Sequence, residues 1–131
     1  MTFVDTNYFL RFLLADVNEQ HQKAKKLFED AALGKVKLFT STIVFFEIYW
    51  VLASFYKKDK KQLTKILSDL LLMSFVKLIE RDLLKQALDV FAKSNLDLED
   101  SFNLVYAKKK EMRIFKTFDK KLRKKWETIS C

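Results

Sequence analysis

Hydrophobic positions along this chain alternate between short unbroken runs and runs spaced by three and four, the signatures of buried strands and of amphipathic helices. Thr2 to Val4 is a short apolar run closed by Asp5, and predicts a strand with an acid at its carboxyl end. Phe9, Leu10, Leu13 and Leu14 then fall at helical spacing, predicting a helix over Tyr8 to Leu14. Ala24, Leu27, Phe28 and Ala31 predict a second helix, capped by Asn18 and stopped by Gly34 in the left-handed region. Val36 to Phe39 reads as a second strand, after which Thr40, Ser41 or Thr42 can cap a long helix reaching about Tyr56. Past a charged turn at Lys57 to Lys61, the stripe Leu63, Ile66, Leu67, Leu70 and Leu71 predicts another helix. Leu72, Met73 and Phe75 widen it, which suits either an enclosed core helix or a surface for a second copy or another protein. Val76 to Ile79 predicts a third strand, and Leu84, Ala87, Leu88 and Phe91 the next helix. Asn95 is expected to take a left-handed turn, with Asp97 capping a helix over Leu98 to Glu111. Ile114 to Phe118 predicts a further strand ending in Asp119, and Trp126 to Ile129 a short edge strand. This alternation predicts an α/β fold with a mainly parallel sheet.

With 131 residues, half of them hydrophobic, the chain is expected to form a single domain, residues 1–131. Its single cysteine, Cys131, excludes an internal disulfide framework, suits a reducing cytoplasm and reads as incidental rather than catalytic. No basic segment precedes the first apolar run and Asp5 interrupts it, so no secretory signal is expected and the cytoplasm is the expected location. Leu38 to Tyr56 has the length of a membrane span, yet Glu47 at its centre and the polar trio Thr40 to Thr42 speak against insertion. The formal net charge is +8, and Lys108 to Lys125 alone carries ten Lys or Arg against Glu111 and Asp119. Such a band is the footprint of a phosphate-backbone partner, or else an ordinary solvated face.

Four acids stand out. In open parallel sheets ligands gather outside the carboxyl ends of strands, where Asp5 is expected. Glu47 is the only charged residue from Ile43 to Ala53, in a helix otherwise apolar all round and therefore expected to be buried. There it would need a partner, a proton or a metal, the bland readings being a buried salt bridge or a face turned to water. Asp97 reads as a helix cap, whereas Asp100, one turn in, has no comparably simple local role. Asp119 follows Thr117 at a strand end and reads equally as a helix cap or as a site residue. His21, the only histidine, lies on the polar side of its helix and is expected to be structural.

In order along the chain, these features resemble the PIN domain, and within it the VapC-type ribonuclease toxins of toxin-antitoxin modules. The matching pieces are Val4-Asp5-Thr6-Asn7 with Leu10 to Leu14 and Asp16, the Glu47 helix from Val44 to Leu52, Leu96 to Asp100, and Thr117-Phe118-Asp119. The resemblance implies a three-layer α/β/α fold with a central mainly parallel sheet. It also implies that Asp5, Glu47, Asp100 and Asp119 bind Mg²⁺ or Mn²⁺ and cut RNA, with Asn7 and Thr117 as supporting polar groups. A homodimer and a cognate antitoxin are further implications. Where the family usually has a glycine a few residues before its third acid, this chain has Asn95, and Glu99 stands beside Asp100.

The chemistry agrees with hard oxygen ligands for Mg²⁺ or Mn²⁺, and the lack of a Cys and His cluster argues against structural zinc. Two other readings exist. A haloacid-dehalogenase-like phosphatase would want a second Asp where Asn7 stands. A catalytically silent module that binds nucleic acid or protein would use its acids only as caps and ion pairs.

Overall fold

The structure is a computed structural model and describes residues 1–129. Among them lie three strands and seven helices, in two compact units that divide between Glu80 and Arg81. Cys131 falls outside the described residues.

The first unit holds the whole sheet. Strands β1 (Thr2–Phe3), β2 (Leu38–Phe39) and β3 (Val76–Lys77) pair in parallel in the order β1-β2-β3, with Thr2 opposite Leu38 and Leu38 opposite Val76. The strands sit where the apolar runs place them but are shorter, and at the end of β1 a side chain replaces a ladder partner. Past β1, the Val4 N–H still donates to the Phe39 carbonyl at 2.8 Å, and the Thr40 hydroxyl donates to the Val4 carbonyl at 2.9 Å. Asp5 therefore leaves the sheet at its carboxyl end.

Helices α1 (Thr6–Leu14), α2 (Asn18–Ala32), α3 (Thr42–Ser54) and α4 (Lys60–Leu71) complete this unit, with α1 packed against α2 and α3, and α3 against α4. Thr6, Phe9 and Leu10, at i, i+3 and i+4, form the buried face of α1. Phe9 meets Phe28 of α2 at 5.4 Å, and Phe12 meets the same ring edge-on at 5.0 Å. Ser41 caps α3 by accepting from the Val44 N–H, and Asp59 with Gln62 forms a capping box on α4. Gly34 has φ of +80°, the expected left-handed stop after α2. Asn18 is the first residue of α2 rather than its cap, a position held by Val17.

The expectation that α3 is buried all round does not hold. Val44, Phe45, Ile48 and Leu52 are in the core, while Ile43, Glu47 and Trp50, at i, i+4 and i+7, lie on an exposed face. Apolar composition on that face mimics core. Helix α3 has 13 residues, and among the described residues no helix is long and apolar enough to cross a membrane.

The second unit is helical: α5 (Arg81–Lys93), α6 (Leu98–Lys109) and α7 (Lys120–Thr128), with α5 packed on α6. Its core joins Leu83, Ala87 and Val105 in one cluster and Leu96, Leu104, Leu122 and Trp126 in another. The edge strand expected at Trp126 to Ile129 is absent because Leu122 and Trp126, four apart, bury one face of α7. Ile114 to Phe118 also forms no strand. Ile114 and Phe118 are exposed, and Phe115 alone of the three apolar residues turns inward, stacking on Trp126 at 5.1 Å. Asn95 is not left-handed; the Ser94 hydroxyl accepts from the Leu96 N–H and makes that turn instead.

Candidate active site

In the first unit, Asp5 occupies the N-cap position of α1, with extended backbone and without a side-chain capping bond. Thr6, buried at 6%, donates its hydroxyl to Oε2 of Glu47 at 3.1 Å. The residue next to Asp5 thus holds the Glu47 side chain, joining the start of α1 to the middle of α3. Glu47 is exposed, which replaces the burial argument of the sequence with a positional one: its carboxylate is fixed by Thr6 while remaining open to solvent. Thr6 is the partner of Glu47 that sequence reasoning missed. Its signal was its place on the Phe9 and Leu10 face of α1, since a hydroxyl on a buried face needs a partner.

Asn7, one turn-start residue further on, is exposed. It lines a cavity of about 260 Å³ between α1 and α2, together with Tyr8, Arg11, Gln20 and Lys23. Arg11 is fixed by Asp16 at 2.9 Å and by the Tyr56 hydroxyl at 3.4 Å. His21 is half-buried rather than exposed as its polar helix face suggested, with Nδ1 3.1 Å from the Arg11 carbonyl oxygen and its ring stacked on Phe12.

In the second unit, Asp97 caps α6 by accepting from the Asp100 N–H at 2.8 Å. Asp119 caps α7, its Oδ1 accepting from the Leu122 N–H at 3.1 Å. The Asp97 cap was expected, and for Asp119 the cap was one of the two readings. Thr117 orients Asp119, its hydroxyl accepting from the Asp119 N–H at 3.0 Å. Burial pushes the Asp100 carboxyl above the ordinary aspartate value of 3.8, and the charges of Asp97 and Asp119 push it further, against an opposing pull from Lys121. Glu99 is also pushed up, chiefly by burial, with Asp97 and Asp100 adding to it against a backbone hydrogen bond. Within either unit, the described His, Cys, Asp and Glu side chains do not gather three or more into a group that could hold a metal ion.

Two predictions arise here. Asparagine is as good an N-cap as aspartate, so Asp119→Asn is expected to keep the melting temperature, whereas Asp97→Ala should cost about 0.5–2 kcal/mol. Urea denaturation of both variants checks this; equal losses would mean that Asp119 stabilises by more than its cap. The second concerns pH. Raised carboxyl values mean that the folded state binds more protons than the unfolded chain, so stability falls as pH rises from the ordinary values through the raised ones. In EDTA, Asp100→Asn should gain on wild type as pH rises from about 4 to 7 and lose that advantage on acidification. A melting-temperature difference that is flat with pH would contradict it.

The basic band is a largely solvated surface. Lys108 lies over the Trp126 ring at 3.9 Å and Arg123 donates to the Thr117 carbonyl at 3.0 Å, while Lys109, Lys110, Lys116, Lys120, Lys121 and Lys124 are exposed. Lys125 also borders a cavity of about 620 Å³ in this unit, with Lys85 and Lys93 of α5.

The parallel sheet with its flanking helices in the first unit, followed by the helices of the second, makes this an α/β protein. The chain matches the PIN domain model over residues 2–126 and belongs to the PIN domain family. No curated protein and no solved structure matches it. PIN domains are commonly nucleases that use divalent metal ions, so hydrolysis of nucleic acid is the general function that membership supports.

Proposed function

We propose that this protein is a metal-dependent endoribonuclease, the toxin of a type II toxin-antitoxin module, working in the cytoplasm. Residues 1–131 then act as one PIN domain, a reading supported by a family match that runs through both compact units. Asp5, Glu47, Asp100 and Asp119 are the residues that would hold Mg²⁺ or Mn²⁺, with Asn7 and Thr117 in support. The donor set fits, being oxygen throughout, as hard divalent cations prefer. When bound, the ion supplies positive charge for the phosphate oxygens and acidifies a water.

The observation that carries this reading is the hydrogen bond from Thr6 to Glu47, which ties Glu47 to the residue that follows Asp5. Thr6 orients the Glu47 carboxylate, and Thr117 orients Asp119. Burial and the charges of Asp97 and Asp119 raise the Asp100 carboxyl, and a bound cation would favour its charged form. RNA is the proposed substrate, steered by the lysines of Lys108 to Lys125. A homodimer and an antitoxin are proposed partners, for which the exposed Ile43, Trp50 and Leu72 offer apolar surface.

The catalytically silent module is favoured by one specific observation, the capping roles of Asp97 and Asp119. Incubating the folded protein with structured RNA, with Mn²⁺ and with EDTA, decides between them. The nuclease cuts only with Mn²⁺, and does so less as salt rises from 50 to 200 mM, because phosphate contacts release counterions. Binding without cutting in every metal tested would leave the silent module.

A further inference from the structure

We propose that the groove between α1 and α2 holds one purine base of the RNA strand, next to the phosphate at Asp5. This rests on the nuclease reading and goes further, assigning a base-selecting pocket to residues outside the carboxylates. Asn7, Tyr8 and Arg11 come from α1 and Gln20 and Lys23 from α2. With a rise of about 1.5 Å per residue, the groove runs roughly 3 to 9 Å along α1 from Asp5. A base seated there belongs to the nucleotide flanking that phosphate.

The cavity of about 260 Å³ equals some eight or nine waters at about 30 Å³ each, room for a single base and not for a paired stem. Its chemistry is that of base recognition. Tyr8, 43% exposed, offers a ring face for stacking, which is how single-stranded RNA is held. Asn7 and Gln20 each present an amide with both donor and acceptor. An amide side chain pairs bidentately with the N6 and N7 edge of adenine, and a purine covers more of the Tyr8 ring than a pyrimidine, so the lining favours a purine. Arg11 is held in place by Asp16 and Tyr56, which also balances its charge and makes it a fixed donor rather than a steering cation. Lys23 is tied only loosely, 3.7 Å from Glu19 on the surface, and is free to meet a phosphate. No acid lines the groove, so a metal ion is not its ligand.

The test uses the full chain in EDTA, so that RNA binds uncut, with fluorescence anisotropy of labelled adenosine and uridine hexamers. Wild type should bind the adenosine hexamer at least about fivefold more tightly, and Tyr8→Ala and Gln20→Ala should each lose about tenfold and erase the preference. Tyr8→Phe keeps the ring and should keep the affinity, a rescue that a merely structural role for the hydroxyl would not give. Equal binding of the two hexamers by wild type, or unchanged preference in both alanine variants, overturns the assignment. So does a groove that binds an acidic hexapeptide while RNA binding ignores these substitutions. The two readings fail separately: Mn²⁺-dependent cutting abolished in Asp5→Asn upholds the nuclease even if the purine preference is missing, and a purine preference without cutting in any metal does the reverse.

Discussion

Replacing Glu47 by glutamine is expected to lower metal-dependent RNA cutting by about 10²- to 10³-fold, with the fold intact. Glutamine keeps the length of the side chain and can still accept the Thr6 hydroxyl, so the junction of α1 and α3 survives while the negative charge is lost. Thr6→Val is the companion variant, nearly the same shape but without the hydroxyl. It should reduce cutting by about 10- to 100-fold, the usual effect of removing a group that orients a metal ligand. A Glu47→Gln protein that cuts at the wild-type rate would remove Glu47 from the site, and an unaffected Thr6→Val would deny Thr6 its orienting role.

Removing the Phe9 ring should be the most damaging change to stability, at about 3–5 kcal/mol for Phe9→Ala. The side chain is 1% exposed, and its ring contacts Phe28 across the α1–α2 interface. A loss of that size is a large share of the roughly 5–15 kcal/mol that holds a domain together. It also loosens the helix that begins at Asp5 and carries Thr6 on the same face. Urea denaturation gives the number, and Phe9→Leu, which leaves a smaller void, should cost clearly less. A loss below about 1 kcal/mol for Phe9→Ala would show that the interface relaxes into the void instead of resisting it.

Much of the fold was legible because helices announce themselves by period. The stripes through Phe9 and Leu10, Leu63 and Leu67, and Leu84 and Leu88 are all buried faces, and Asp97 and Ser41 cap where a capping residue was expected. Strands were legible in place but not in length, since Thr40 ends the β1 pairing with its side chain, a tertiary contact that no local pattern encodes. Ile114 to Phe118 has strand composition, yet only Phe115 finds a packing partner, and composition cannot tell an inward ring from an outward one. Trp126 was misread for a related reason: one aromatic residue near a chain end fits either period, and its pairing with Leu122 decides for helix.

At the candidate site, the acids themselves were visible as charges out of keeping with their surroundings. Their environments were less so. The apolar neighbours of Glu47 suggested burial, but Ile43 and Trp50 share its exposed face, and hydropathy does not separate a core stripe from an uncovered one. Thr6 passed unnoticed because its role exists only through the distant helix α3.

Crystals grown with Mn²⁺ and measured for anomalous scattering put the proposed metal centre to the most direct trial. The proposal predicts a peak coordinated by carboxylate oxygens of Asp5 and Glu47 together with Asp100 or Asp119. Manganese bound only elsewhere, with Asp5 and Glu47 unliganded at saturating metal, would contradict it.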